Sequence, residues 1–171
     1  MHTEPWNLLV EMKTKYPDFF YKKKVLEAGS LDINGSVRNF FTSCLYTGVD
    51  VGPGKGVDLI SPIHEVKSPN EFDVVVTTEM LEHDTYWRES LAQMYENLKS
   101  GGLFIFTCAG PTRQEHGTKR TTPGDSPYTT DYYRNISIED FRSILPEDKF
   151  TESKIWYERG EADLLFYGFK K

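Results

Sequence analysis

Between Lys24 and Phe41 a short apolar run, a glycine-bounded turn and a helical start lie end to end, and this stretch constrains the chain more than any other. Residues 24–28, KVLEA, have the length and apolar character of a buried strand. Gly29 and Gly35 bracket a polar turn, and a short helix is predicted over about residues 35–43. A glycine turn lets backbone come close to a ligand because no side chain intervenes. A helix start aims its free N–H groups at whatever sits there. The same pattern also describes an ordinary strand–turn–helix connection, so further signals are needed.

Two more strand ends supply them. Residues 46–51 read as a second strand with Asp50 near its end, 21 positions after Gly29. A carboxylate about 20 residues past such a turn accepts two hydrogen bonds from a ribose cis-diol in a doubly wound sheet. Residues 72–78 form an apolar run that ends in the polar cluster Glu79, Glu82 and His83. Chemistry at three strand ends fits the rule that open α/β sheets bind ligands at their carboxyl edge.

The remaining chain is predicted as follows. A helix runs from about residue 4 to 15, with Pro5 in its first turn, Trp6, Leu9, Val10 and Lys13 on one face, and Leu8 and Met12 beside it. After the second strand comes GPGKG, residues 52–56, which lacks the Lys-Ser/Thr pair of a phosphate loop and reads as a turn. Residues 57–61 form a third strand. The six or so residues before it are too few for a helix, so a helix-less crossover on a thinned sheet edge is expected. A helix over about 85–99, capped by Asp84 and stopped at Gly101-Gly102, leads to a central fifth strand over 103–109. Residues 110–135 form a long loop, a length usually functional or mobile. Ser137 to Asp140 makes a capping box for a helix through Leu145, and residues 150–159 and 162–169 form an antiparallel hairpin. One domain over 1–171 is expected.

Composition narrows the class. The formal net charge is −6, which argues against generic phosphate-backbone binding, and the basic groups at 22–24 and 113–120 read as solvated surface. Cys44 and Cys108 give neither metal-ligand spacing nor a disulfide framework; both read as buried thiols in a reducing compartment. No metal site is expected. There is no apolar signal core and no membrane-length run, so a soluble, cytoplasmic chain is expected.

Together, Glu27-Ala28-Gly29 with Gly35, Asp50 closing a Gly-Val-Asp strand, Phe72-Asp73-Val74-Val75, Glu82-His83 and Leu98-Lys99-Ser100-Gly101-Gly102-Leu103 resemble class I S-adenosylmethionine-dependent methyltransferases. The closest flavour is the small-molecule "type 11" group, with its Leu-Glu-His turn. The resemblance implies a Rossmann-like, mostly parallel sheet of about seven strands with a C-terminal antiparallel hairpin. It implies S-adenosyl-L-methionine as cofactor. Glu27, Gly29, Ser30, Asn34 and Gly35 would meet its methionine and ribose parts. Asp50 would hold the ribose hydroxyls and Val51 the adenine, with Ser61 and Ile63 at the adenine edge. Glu79 and Met80 would lie near the sulfonium. The chain departs from the family in its Gly29-Ser30-Leu31 turn, in the missing helix after the second strand, and in Pro62 where many members carry an aspartate.

Within this reading His83 is the best general base by its ordinary titration range, with Glu82 beside it. His116, Tyr132 and Tyr133 are candidates for substrate contact. The acceptor would be a small molecule or an end group. The scarcity of material for a lid favours an open cleft, a large acceptor, or an oligomer or partner chain completing the site. Two other readings stand beside methyl transfer. One is a methyltransferase-like binding or regulatory module without turnover, motivated by Pro62 and the shortened edge. The other is a nicotinamide oxidoreductase, disfavoured because Gly29 lacks the two following fingerprint glycines.

Overall fold

The computed structural model describes residues 3–171; the first two residues of the predicted N-terminal segment 1–16 lie outside it. Seven strands form one sheet: β1 (Lys24–Ala28), β2 (Leu45–Asp50), β3 (Leu59–Ile60), β4 (Phe72–Thr78), β5 (Leu98–Ala109), β6 (Phe150–Glu158) and β7 (Asp163–Lys170). Their order is β3-β2-β1-β4-β5-β7-β6. The first five run parallel, and β7 joins β5 and β6 antiparallel. The expected architecture is therefore observed, including the crossover from β2 to β3 without a helix. The strand order reverses between β1 and β4, the crevice where such sheets take their ligands.

The pleat sends alternate side chains to opposite faces. Val25, Val74 and Val76 turn toward α1 (Thr3–Lys15), with Leu8, Leu9, Met12 and Phe20. Leu26, Val75, Phe104 and Phe106 turn toward α2 (Trp87–Asn97) and α3 (Ile138–Ile144), with Trp87, Leu91 and Phe141. The α3 start is the predicted capping box: the Asp140 backbone N–H donates to Ser137 Oγ at 3.0 Å, and Ser137 N–H donates to Asp140 Oδ2 at 3.1 Å. Each bond satisfies a donor that a helix start would otherwise leave unpaired.

Several local expectations are corrected. The helix after the glycine turn shrinks to one 3-10 turn, Val37–Phe40. Its continuation is lost because Thr42 bridges back to the segment ahead of β1, its N–H donating to the Phe20 carbonyl at 2.9 Å and its carbonyl accepting from Lys22 N–H at 3.1 Å. Helix α1 is turned from the predicted face: Leu8, Leu9 and Met12 are buried, whereas Trp6 and Val10 are 48% and 45% exposed. Helix α2 begins at Trp87, and Asp84 is not its N-cap. The Asp84 carboxylate instead accepts from Tyr86 N–H at 2.8 Å and from the Ser90 hydroxyl. Leu98 already pairs with Phe72, so Gly101, at φ +74°, lies inside β5 and is not the helix stop. Strand β3 is only two residues long, and Cys44 is half-buried while Cys108 is fully buried. Among the described residues, no helix is long and apolar enough to cross a membrane.

Candidate functional site

The carboxyl ends of β1, β2 and β4 converge on one cleft, made of two adjoining chambers of about 430 and 370 Å³. Gly29, Asp50, Val51, Met80 and His83 wall both. The turn after β1 is tied to β2 by the Gly29 and Ser30 N–H groups, which both donate to the Val49 carbonyl, at 2.9 and 3.1 Å. Gly29 has φ +75°, and a Cβ there would lie 2.6 Å from Met80 Cβ. Close approach of the turns after β1 and β4 thus admits only glycine.

Asp50 sits opposite this turn. Its Oδ2 accepts from Leu31 N–H and its Oδ1 from Gly52 N–H, each at 3.1 Å. The carboxylate is therefore aimed by backbone on both sides, with acceptor capacity left on each oxygen for a ligand. Ser30 is buried, and its Oγ has no partner among the described residues. Glu27 lies in the first chamber's wall beneath the turn, and Tyr46 Oη donates to its Oε2 at 2.8 Å. Burial pushes the Glu27 carboxyl up to about 8, against the downward pull of the Tyr46 hydrogen bond and the Arg38 charge. Burial and the neighbouring Glu27 likewise push the Tyr46 phenol up.

Of the other predicted residues, Asn34 and Gly35 line the first chamber, as do Glu79 and His116. Ser61 and Ile63 line the second, with Pro62 between them. Glu79 holds φ +54°, a left-handed conformation rare for a side chain of this size. Its Oε1 accepts from the Thr107 hydroxyl at 2.8 Å. Its Oε2 lies 3.9 Å from Arg113 Nη2, and Arg113 Nη1 donates to the buried Asp163 at 2.7 Å. Burial raises the Glu79 carboxyl, with Thr107 and Arg113 opposing.

Three expectations change here. Glu82 is 0% exposed and does not reach the chamber walls. Burial, and then the charge of Glu79, hold its carboxyl well above the usual range. His83 does reach the cleft, but burial and then His116 hold its imidazole down at about 4. It is neutral at neutral pH and a weak base, so the argument from its ordinary titration range fails. Tyr132 and Tyr133 do not line either chamber. Tyr133 instead packs its ring 5.5 Å from that of His83 and 5.0 Å from that of His116. The sequence reading expected no metal centre; the fold nonetheless brings one ligand atom each from Glu82, His83 and His116 within 4.8 Å of one another.

Sequence reasoning missed Tyr128 and Thr129, which wall both chambers, and Arg113 and Gln114 in the first. All four lie in the long loop already singled out as unusual. A Cβ at Gly52 would fall 1.9 Å from the Tyr128 ring. The glycine-rich loop after β2 was thus a receptacle for this aromatic, but nothing in the sequence names the pair.

No protein-family model matches this sequence, and no curated protein does. Among solved structures, it is similar to a Burkholderia thailandensis 1,6-didemethyltoxoflavin-N1-methyltransferase with bound 1,6-didemethyltoxoflavin and S-adenosylhomocysteine. The identity is 15% and the TM-score 0.67, over 99% of this chain and 79% of that one. It is also similar to a Haemonchus contortus phosphoethanolamine N-methyltransferase 2 in complex with S-adenosyl-L-methionine, at 13% identity and TM-score 0.66. That match covers 96% of this chain and 52% of the other, so this chain spans about half its length. The YcgJ protein of Bacillus subtilis is 11% identical over 99% of both chains, with a TM-score of 0.68. These likenesses establish the fold, a Rossmann-like sheet shared with S-adenosylmethionine-dependent methyltransferases.

Proposed function

We propose that this protein is an S-adenosylmethionine-dependent methyltransferase whose acceptor is a small molecule or an end group. The observation that carries the reading is Asp50 facing the Gly29 turn across one cleft, at the carboxyl ends of adjacent parallel strands. The residues present fit the cofactor. Gly29 lets the turn close on Met80 where a Cβ would clash, Ser30 Oγ is buried without a partner among the described residues, and Asp50 keeps acceptor sites for a diol. Two adjoining chambers lie within the size range of cofactor sites. The Leu81-Glu82-His83 turn after β4 supports a place in the "type 11" group.

S-adenosylmethionine, when bound, supplies a methyl group already activated on a sulfonium. What remains for the chain is binding, orientation and exclusion of water. Asp50 would take the ribose hydroxyls, with Val51 and Ile63 offering apolar surface to the base. Glu27, set under the turn, would meet the cationic amino end; an ammonium there relieves the cost of burying its charge. Glu79 and Met80 would border the reacting end of the cleft.

Isothermal calorimetry with S-adenosylmethionine and S-adenosylhomocysteine tests the proposal. One-to-one binding with Kd on the order of 1–100 μM is expected, or about −8 to −5.5 kcal/mol. Absence of both heat and a thermal shift at millimolar cofactor would remove its basis.

A further inference from the structure

The geometry points to a divalent transition-metal site built from Glu82, His83 and His116 in the wall of the cleft. Glu82 is the reason to look for a cation. It is wholly buried, and neither carboxylate oxygen has a well-formed hydrogen bond among the described residues; the backbone N–H groups of Glu82 and Ala109 only ease its charge. Arg113, whose Nη1 donates to Asp163 at 2.7 Å, eases the Glu82 charge from a distance without satisfying either oxygen. A buried carboxyl left this way is costly in either protonation state, because the acid form also lacks an acceptor for its proton. An ion bound there would satisfy it.

The two imidazoles are set as ligands. His116 Nδ1 lies 3.2 Å from the Gln114 carbonyl, the second contact typical of a ligating histidine. That contact fixes the proton on Nδ1 and leaves the Nε2 lone pair free, 3.9 Å from Glu82 Oε1. His83 Nδ1 is buried and has no well-formed hydrogen bond among the described residues, while the ring also meets the Tyr132 backbone. The His83 ring is held by backbone: a Cβ at Gly117 would sit 2.6 Å from its Cε1, where φ is +67°. Tyr133 closes over both rings.

The spacing is within reach of coordination. Ligand bonds near 2.1 Å allow donor atoms up to about 4.2 Å apart. The His116–Glu82 pair satisfies this at 3.9 Å, and the widest separation in the trio, at most 4.8 Å, needs small side-chain adjustments. Two imidazoles and one carboxylate suit zinc, cobalt, iron(II) or manganese better than calcium or magnesium, and leave open positions on the ion. His83 and His116 both line the first chamber, so those positions face the cleft. There an oxygen donor on the acceptor, a hydroxyl or a carboxylate, would complete the coordination sphere. That role rests on the methyl-transfer reading, whereas binding of the ion does not.

The test uses the chelator-stripped 171-residue chain and Co²⁺ alone, followed by visible absorption and calorimetry. The expected result is one equivalent bound with ligand-field bands between roughly 500 and 650 nm. His116→Ala and Glu82→Gln should each weaken binding by about 100-fold or more, while Asp50→Ala keeps it. Circular dichroism checks the folds, and His116, on a partly exposed loop, serves if the Glu82 variant does not fold. Co²⁺ bound by a chain that takes no S-adenosylmethionine would uphold this site and sink the methyltransferase proposal. Failure of Co²⁺, Zn²⁺ and Mn²⁺ to bind below about 1 mM would overturn it, as would unchanged Co²⁺ binding by His116→Ala.

Discussion

The two banks of the cleft are built by opposite means. On the β2–β3 bank, polar groups are half-buried and the geometry is set by backbone. Asp50 is aimed by two backbone N–H groups, β3 has two residues, and Val51, Leu59 and Ile60 are 47%, 42% and 59% exposed. On the β4–β5 bank, polar groups are dry and set by side-chain packing: Glu79 is held by Thr107, and Glu82 is sealed behind two imidazoles. The thin bank suits recognition of a diol, since its half-buried carboxylate is aimed by backbone and lines the cleft. The thick bank concentrates charge in a low-dielectric wall, where each interaction is stronger and each omission more costly.

The sharpest way to break this comparison is at the seam. Gly29→Ala forces a Cβ against Met80 at a left-handed position, and should cost about 2–4 kcal/mol of stability, read by urea or thermal unfolding. A loss under 1 kcal/mol would mean the two turns do not meet. Next, Asp50→Ala should weaken S-adenosylmethionine binding by about 100-fold, near 2.7 kcal/mol. Its Tm should move by no more than about 2 °C, because the thin bank carries little packing. Calorimetry and a melt together separate these effects.

A smaller effect follows from Glu27. Burial raises its carboxyl from 4.5 to about 8. Between those values the folded chain keeps a proton that the unfolded chain releases. This contribution to stability is present in full below about pH 4.5 and is lost as pH rises through 8. The cofactor-free protein should therefore lose several degrees of Tm between pH 5 and 8 through this residue, and Glu27→Gln should flatten that slope. An unchanged slope in the variant would assign the loss to other groups. Smallest of all, Ile60→Thr on the open edge should shift stability by less than about 0.5 kcal/mol. A larger loss would show that this bank is packed after all.

Much of this was legible before folding. The alternation of apolar runs and turns announced a parallel sheet, the capping box at Ser137 announced α3, and the short link after Asp50 announced a crossover without a helix. Asp50 and Gly29 stood out because strand ends and glycine turns are local events, written in consecutive residues. The length of α2 and the loss of a helix after Gly35 were less legible. They depend on partners such as Thr42 with Phe20 and Leu98 with Phe72, which are distant in sequence.

The sequence by itself determined the order of strands and turns and the acceptor opposite the glycine, because those follow from side-chain period and backbone freedom at neighbouring positions. Only the tertiary structure decided that Glu82 would be stripped of water, that His83 would be neutral, and that His116 would arrive beside them from a loop some 30 residues on. Desolvation is a property of what surrounds a group on all sides, and most of those surroundings come from elsewhere in the chain.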